Sequence, residues 1–310
     1  MNTKKVKYII RLISSILIFS TFEVVCKKVG GYISPTQLTC YRFFIGGLIL
    51  LPFSIRELKI RDMNLKSKDY LLFLFFGFLL VSCSMTLSQL GIQYSNASIS
   101  AVLFSSNPLF ISLFSVPFLN EEMTVPKFVG LIIGILGLIT TCLHLFTDTS
   151  ISDHFILGVV LIIISMLIFS LYTVINKKLS KNYSSIITLS FSSIFGALTM
   201  IPLLFIQSNG TNPLIFSFSE IVPEFLYLSI LGTGLAYFFY FDALAHLNTS
   251  AGSMCFFVKP AIASILSFIV LSEKITPDII VGIILILIGL YVSIFVKPHS
   301  KAVQQTKSHS

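Results

Sequence analysis

The chain has 310 residues, of which 55% are hydrophobic and only 11% are charged, and its mean hydropathy is +0.93. A soluble domain of this length could not cover so much apolar side chain, so the composition excludes a soluble enzyme or binding module. The net charge of +8 does not indicate nucleic-acid binding, because the basic residues lie between or beside hydrophobic runs.

Hydrophobic runs of about 20 residues recur along the chain, each long enough to cross a lipid bilayer as a helix. The N-terminus begins like a signal peptide, but Arg11 and Glu23 interrupt its apolar run and no cleavage site follows. The first run is therefore predicted to be a retained helix. The predicted fold class is an all-α polytopic membrane protein with ten transmembrane helices, at 8–28, 36–55, 69–91, 96–119, 126–146, 155–177, 184–206, 222–246, 249–271 and 277–296.

The distribution of lysine and arginine predicts the orientation of these helices. With the N-terminus in the cytoplasm, sixteen of the 21 basic residues fall inside and only Lys27, Lys28 and Lys274 fall outside. Cytoplasmic loops carry such an excess of basic residues, so both termini are predicted to be cytoplasmic and the chain to lie in the cytoplasmic membrane.

Two charged residues lie away from the ends of the first two predicted helices. Glu23 lies in the first helix and Arg42 in the second, at similar distances from the outer surface. Because buried charges are usually paired, a structural Glu23–Arg42 ion pair is predicted. Glu23 is also a candidate for substrate binding and for proton coupling, since ionisable residues within membranes are often functional.

The third and fourth helices contribute polar candidates of a different kind. Ser82, Thr86 and Gln89 share one side of the third helix, which is too polar to face lipid. Asn107 in the fourth helix directly precedes Pro108, and a proline in that position should break the helix and expose backbone toward a cavity. Gln89 and Asn107 are therefore predicted to contact the substrate.

The sixth and eighth helices supply aromatic and titratable candidates. Tyr172 and Tyr237 are predicted to form an aromatic wall of the same cavity, although aromatic residues at helical spacing are more often packing residues. Asp242 and His246 stand four residues apart near the inner end of the eighth helix. That pair is either an interfacial contact or a proton relay.

Lys259, in the middle of the ninth helix, is the leading substrate-binding candidate. It precedes Pro260 as Asn107 precedes Pro108, and a second helix break is predicted there. Three roles stay open for Lys259. It binds an anionic group such as a substrate carboxylate, it stabilises the bundle through a buried pair with a glutamate, or it releases its proton when buried and so couples transport to protons.

The sequence repeats itself at an offset of 150 to 152 residues. NEEMTVPKFVGLIIGILGL at 120–138 matches SEKITPDIIVGIILILIGL at 272–290, and Asn107–Pro108 matches Lys259–Pro260. Each half holds five predicted helices, an odd number, so the second half is predicted to run through the membrane in the opposite direction. Inverted repeats of this kind are typical of alternating-access carriers. The predicted units are 1–147, 148–297 and a polar cytoplasmic tail at 298–310.

These features resemble the EamA-type family of the drug/metabolite transporter superfamily. The resemblance lies in ten spans, two five-helix repeats, and a glutamate after the fourth span of each half, Glu121 and Glu273, followed by a helix with two glycines seven residues apart. It covers 8–297 and implies a secondary transporter fold that often exports metabolites or amino acids, while it implies little about the substrate. Both glutamates are interpreted as structural anchors.

The predicted function is secondary transport of a small carboxylate-bearing metabolite, for example an amino acid, with export as the expected direction. The alternatives are a proton-coupled exporter of organic cations, which Glu23 favours and Lys259 opposes, and a channel. An enzyme is not predicted, because the sequence has no HExxH, G-x-S-x-G or Walker A motif. The five cysteines have no CxxC spacing, and neither a metal site nor a cofactor is predicted. Protons are a candidate partner, and the oligomeric state is left open.

Overall fold

The computed structural model describes residues 3–143, 152–180, 182–207, 220–247 and 259–296, and throughout these ranges the chain is helical, with short turns and no strand. The predicted boundary at 147 and 148, the first part of the predicted ninth span and the tail at 298–310 lie outside the described residues. The helices are α1 (Thr3–Val29), α2 (Pro35–Ile60), α3 (Ser67–Tyr94), α4 (Ala97–Leu119), α5 (Val125–Thr141), α6 (Asp153–Leu179), α7 (Ser185–Gln207), α8 (Val222–His246), α9 (Lys259–Leu271) and α10 (Pro277–Phe295).

Seven of the helices in the described ranges are long and apolar enough to cross a membrane. The other three, α5, α9 and α10, are apolar but fall short of that length in their described parts. The structure therefore establishes an all-helical membrane protein with several membrane-capable helices. The count of ten spans stays a prediction, partly because the span predicted at 249–271 is described only from Lys259 onward.

Local sequence explains where individual helices begin. Ser34 caps α2, because its hydroxyl accepts a hydrogen bond from the Gln37 amide (3.2 Å) while the Gln37 side chain accepts from the Ser34 amide (3.3 Å). Pro35 follows in the first turn, where its missing N–H costs nothing. Ser152 caps α6 in a similar way through the Phe155 amide.

Corresponding helices of the two halves pack against each other in antiparallel fashion. In the α5–α10 pair, Gly130 lies against Gly289 and Gly137 lies against Gly282, so the two helices run in opposite directions along their contact. At the sequence offset of the repeat, Gly130 corresponds to Gly282 and Gly137 to Gly289. The two contacts are therefore equivalent under a two-fold rotation that exchanges the halves.

The α2–α7 pair shows the same exchange in its hydrogen bonds. The Cys40 thiol donates to the Ala197 carbonyl (3.4 Å), and the Ser190 hydroxyl donates to the Gly47 carbonyl (3.0 Å). Cys40 corresponds to Ser190, and Gly47 to Ala197, at an offset of 150 residues. Each half thus offers the same donor position to the same acceptor position of the other half.

Both α3 and α8 contain a π-helical segment in their middle, at Phe78–Met85 and Tyr227–Leu235. Such wide turns are rare in proteins and frequent at functional sites, and hydrophobic periodicity does not predict them. The two segments occupy corresponding positions in the repeats. Each lies against a glycine of the other half: Gly46 of α2 contacts the segment of α8, and Gly196 of α7 contacts that of α3.

Helix α4 is interrupted at Ser106, which separates Ala97–Ser105 from Asn107–Leu119. Pro108 stands in the first turn of the second part, where no amide donor is needed. In the other half, α9 is described from Lys259 onward with Pro260 as its second residue. Residues 248–258, which would show whether the helix is continuous before Pro260, are outside the described ranges.

Glu273 holds the start of α4 in place. Its carboxylate accepts hydrogen bonds from the Ala97 amide (2.8 Å), the Ser98 amide (3.0 Å) and the Ser98 hydroxyl (2.9 Å), and it also contacts the Ser267 hydroxyl. A carboxylate is favoured there, because the first amides of a helix lack partners within the helix and carry partial positive charge. Ser272, just before it, has a left-handed backbone with φ 54°, as does its counterpart Asn120 with φ 55°.

We expect Glu273→Ala to destabilise the protein by about 2 kcal/mol, because it removes three hydrogen bonds to a charged acceptor at a helix start. Thermal unfolding of the purified protein in detergent measures this as a fall in midpoint of about 4 °C. The matched control is Glu122→Ala at an exposed position, with an expected change within about 0.5 kcal/mol. Equal midpoints for the two variants would contradict the capping role.

Candidate functional site

A small cavity lies between α1, α3, α4, α6, α8 and α9, in the middle of the helical bundle. Its volume is about 20 Å³, enough for about one water molecule. Most of its wall is aromatic or apolar, and two charged side chains face it. The described residues that line it are Phe19, Phe22, Glu23, Met85, Ser88, Phe104, Phe169, Tyr237 and Lys259.

The two charged residues of this cavity form a buried ion pair. The Lys259 ammonium donates to Oε1 of Glu23 at 2.6 Å, and the side chains are only 4% and 5% exposed. The ammonium also lies 5.2 Å from the centre of the Phe104 ring, close enough for a cation–π contact. The second carboxylate oxygen of Glu23, Oε2, has no hydrogen-bond partner in the part of the chain that the structure describes.

This ion pair joins the two halves of the molecule. Glu23 belongs to α1 of the first repeat and Lys259 to α9 of the second. Removing both charges from water costs several kcal/mol per ion, and apolar residues of the same volume would often stabilise a bundle more. An ion pair kept at such a place, with one carboxylate oxygen unused, is therefore a candidate for binding or for proton exchange.

The predicted Glu23–Arg42 ion pair is wrong. Glu23 is paired with Lys259, whereas Arg42 of α2 donates through Nη1 to the Thr233 hydroxyl at 3.0 Å. The guanidinium lies over the rings of Phe22 (4.8 Å) and Phe43 (4.5 Å). Similar depth in a membrane says nothing about rotation around the helix axis. Glu23 faces α9, while Arg42 faces the π-helical segment of α8.

An aromatic layer lies beside the ion pair. Tyr237 packs edge-on against Phe19 (5.0 Å between ring centres) and against Phe169 (6.1 Å), and its hydroxyl donates to the sulfur of Met85 (2.9 Å). Tyr237 was predicted, but Phe19 and Phe169 were not. The sequence held one usable signal for Phe19, which is four residues before Glu23 and hence on the same helix face.

The other predicted substrate contacts are buried but do not line this cavity. The side chains of Gln89, Asn107 and Tyr172 are fully buried. In the described ranges, both polar atoms of each amide and the Tyr172 hydroxyl have no hydrogen-bond partner. Tyr172 packs instead against Phe76 (5.8 Å) and Phe241 (5.6 Å). Buried polar atoms without partners are uncommon, and they indicate space for water or a ligand nearby.

Asp242 and His246 lie at a second, larger cavity of about 490 Å³, toward the N-terminal end of α1. Asp242 is ion-paired with Arg11 of α1, a partner that the sequence did not reveal. His246 lies 3.7 Å from the Asp242 carboxylate and stacks on Tyr8 at 4.1 Å between ring centres. The structure therefore does not bring this pair to the Glu23–Lys259 cavity. Across the described residues, no three His, Cys, Asp or Glu side chains gather in a way that would hold a metal ion.

Comparison with known proteins gives the context of this arrangement. The profile of the EamA-like transporter family matches the chain twice, at residues 6–143 and 156–295. An uncharacterized transporter of Clostridium kluyveri is 29% identical over 291 residues, covering 91% of each chain. The uncharacterized transporter YoaV of Bacillus subtilis is 27% identical and covers 94% of this chain and 97% of its own.

Two further matches are a relative whose name states a substrate and a solved crystal structure. The S-adenosylmethionine uptake transporter of Rickettsia conorii is 25% identical and covers 86% of this chain and 92% of its own. A solved crystal structure superposes with a TM-score of 0.67 over 92% of this chain and 95% of its own, at 16% identity. At that identity the likeness shows a shared fold and nothing more.

Proposed function

The chain belongs to the EamA-like transporter family, and on this premise we propose that it moves a small carboxylate-bearing metabolite across the cytoplasmic membrane by alternating access. An amino acid is the example that the site suits best. The observation that carries this proposal is the buried Glu23–Lys259 ion pair at the wall of the central cavity.

A zwitterion can replace each member of this ion pair with one of its own charges. Its carboxylate accepts from Lys259 while its ammonium donates to Glu23, whose Oε2 is unused. Because each buried charge gains a new partner as it loses the old one, the exchange avoids leaving an unpaired ion. The exchange also breaks a direct contact between the two repeats, which would allow them to move relative to each other.

The present conformation has no room for such a solute between the described residues. A cavity of about 20 Å³ holds about one water, so the aromatic walls have to separate before a metabolite binds. Phe19 and Tyr237 pack edge-on at 5.0 Å, and Phe19 also contacts Tyr240 at 6.0 Å. These rings lie between the ion pair and the larger cavity that contains Asp242. We assign them the role of a gate.

The proposed membrane arrangement is ten helices in two inverted repeats, 1–147 and 148–297, with a tail at 298–310 and both termini in the cytoplasm. The antiparallel packing of α5 with α10 and of α2 with α7 supports the inversion. Residues assigned to the outer side also meet, as in the Lys28–Glu224 ion pair (2.7 Å). In this orientation the 490 Å³ cavity opens to the cytoplasm.

We assign proton coupling to Glu23, since its protonation releases Lys259 in the same way as a substrate does. Asp242 and His246 stay candidates only for a relay at the larger cavity. The proposed direction is export. The Rickettsia relative is named for uptake of S-adenosylmethionine, a compound with an amino-acid zwitterion. That name agrees with the substrate class but not with the direction, so the assay has to measure both.

A second candidate is the export of organic cations. The observation that favours it is the cavity itself, where aromatic rings surround a carboxylate with a free oxygen, because such a cage attracts cations. Lys259 opposes it, since the ammonium neutralises that carboxylate. A substrate panel that contains both amino acids and quaternary ammonium compounds separates the two candidates.

We expect purified protein in liposomes to exchange labelled amino acids with saturable kinetics, with the rate changed by an imposed proton gradient. Glu23→Gln should abolish the effect of the gradient and reduce exchange at least tenfold, because it removes the carboxylate that receives the proton and binds the substrate ammonium. Glu121→Gln, at a pair outside the cavity, is the control and should behave like the wild type. Flux that does not saturate would indicate a channel, and uptake of quaternary ammonium compounds alone would favour the second candidate.

A further inference from the structure

Arg42 is a fully buried guanidinium that has no acidic partner among the residues that the structure describes. Its Nη1 donates to Thr233, but Nε and Nη2 have no hydrogen-bond partner within the described ranges. Nε and Nη2 form one side of the planar guanidinium, with two roughly parallel N–H groups. This is an edge with which arginine binds a carboxylate or a phosphate in bidentate fashion.

The described residues around Arg42 supply no free negative charge. The Phe22 and Phe43 rings interact with the cation but do not neutralise it. Glu23 is already paired with Lys259. The undescribed segment 248–258 has no aspartate or glutamate in its sequence. By formal charge, Arg42, Lys259 and Glu23 sum to +1.

A second buried polar side chain lies on α3, a helix that packs against the α2 helix of Arg42. Gln89 of α3 is fully buried, and within the described ranges neither polar atom of its amide has a hydrogen-bond partner by distance and angle. Folded proteins leave few buried polar atoms unsatisfied, and a buried ion without a counter-ion is costly. An unpaired guanidinium edge on α2 and an unpaired amide on the adjacent α3 thus point to a ligand with oxygen acceptors.

Arg42 is close to the central cavity but outside its wall. Phe22 lines the cavity and also lies against the guanidinium, and Tyr237 lines the cavity with its hydroxyl near the same group. Both rings therefore lie next to Arg42 and next to the cavity that holds the ion pair. If they turn aside, the guanidinium edge and the Glu23–Lys259 pair face one common space.

We propose that Arg42 is a second anion anchor of the transport site and that the transported solute binds with a net charge of −1. One carboxylate lies on the Nε and Nη2 edge of Arg42, while an ammonium and a second carboxylate exchange with Glu23 and Lys259. An acidic amino acid has this set of charges. The inference rests on the proposed transport function.

The test measures thermal unfolding of the purified protein in detergent, with L-glutamate, L-glutamine or inorganic phosphate as the added probe. Glutamate should raise the midpoint of the wild type by about 5 °C when it saturates the site, and glutamine, which lacks the second carboxylate, should protect clearly less. Arg42→Lys keeps the charge but not the paired N–H edge and should lose most of the difference between glutamate and glutamine. Arg42→Met should lose that difference completely.

A second measurement separates an anion anchor from a structural residue. Without added probe, Arg42→Met should unfold at the same temperature as the wild type or higher, because it removes an uncompensated buried charge. A structural arginine would give a clear fall in midpoint, and that result would overturn the proposal. Equal protection by glutamate in wild type and Arg42→Met, no protection of the wild type by glutamate, or protection by phosphate alone would overturn it as well.

The failure of this inference and the failure of the proposed function give different results. Protection by glutamate that depends on Arg42, in a protein that transports nothing in liposomes, would support the anchor and contradict the transport proposal. Liposome exchange of a carboxylate-bearing solute at an equal rate in wild type and Arg42→Met would contradict only the anchor.

Discussion

Replacing Lys259 by methionine is expected to abolish transport and to destabilise the protein by about 3 to 5 kcal/mol, the usual cost of removing one member of a buried ion pair. The carboxylate of Glu23 would stay at the wall of a mostly aromatic cavity without its cation. Exchange of labelled amino acids in liposomes and thermal unfolding in detergent measure the two effects separately.

The double variant Glu23→Gln/Lys259→Met distinguishes the two effects further. It leaves no unpaired charge, so most of the lost stability should return while transport stays absent. The control is Lys127→Met, which breaks the partly exposed Glu121–Lys127 pair (3.2 Å) and should cost less than about 1 kcal/mol. Transport by the Lys259→Met variant at the wild-type rate would contradict the proposed site.

The repeat in the sequence accounts for much of the fold. Matching residues such as Gly130 and Gly282 indicated two equivalent halves, and the odd number of helices in each half predicted opposite directions. The observed contacts are those expected from that symmetry, since Gly130 lies against Gly289 and Gly282 against Gly137. Repeated spacing carries this information because both halves have to bury the same surfaces.

The candidate site was less accessible from sequence. Helical periodicity identified Glu23 and Lys259 as polar positions in apolar helices, but it could not say which of them meet. The partner of Glu23 depends on the rotation of α1 and α9 around their axes, which packing of many side chains determines. For the same reason Arg42 was paired wrongly, and Phe19 and Phe169 were missed, because an aromatic residue in a membrane helix has no distinguishing pattern.

The π-helical segments were also outside the reach of sequence analysis. The two segments, Phe78–Met85 and Tyr227–Leu235, are as apolar as the rest of their helices. Hydrophobic periodicity over so few residues does not distinguish the wider turn of a π-helix from that of an α-helix. The extra residue in each segment shifts the face that follows it. In α8 this shift affects Tyr237 and Asp242, so the positions of both relative to α1 depend on a feature that is visible only in the structure.

The other large effect is expected at the glycines that join α5 and α10. A Cβ atom added at Gly130 would lie 2.4 Å from the Gly289 carbonyl oxygen, and one added at Gly289 would lie 2.6 Å from the Gly130 carbonyl oxygen. These obstacles are backbone atoms that no rotamer change can move, so the helices have to separate. We expect Gly130→Ala and Gly289→Ala each to cost about 2 to 3 kcal/mol, measured by thermal unfolding.

The two-fold relation between the halves also predicts the stability of the double variant Gly130→Ala/Gly289→Ala. Because both substitutions disturb the same close contact, the separation forced by the first accommodates part of the second, and the double variant should lose clearly less stability than the sum of the single variants. Gly234→Ala is the matched control, since its added Cβ would meet its nearest neighbours at an ordinary 3.6 Å, and it should be neutral or slightly stabilising. Additive losses, or a loss at Gly234 as large as that at Gly130, would show that α5 and α10 do not join the repeats through this contact. The inverted arrangement would then be supported only by the antiparallel packing of α2 with α7.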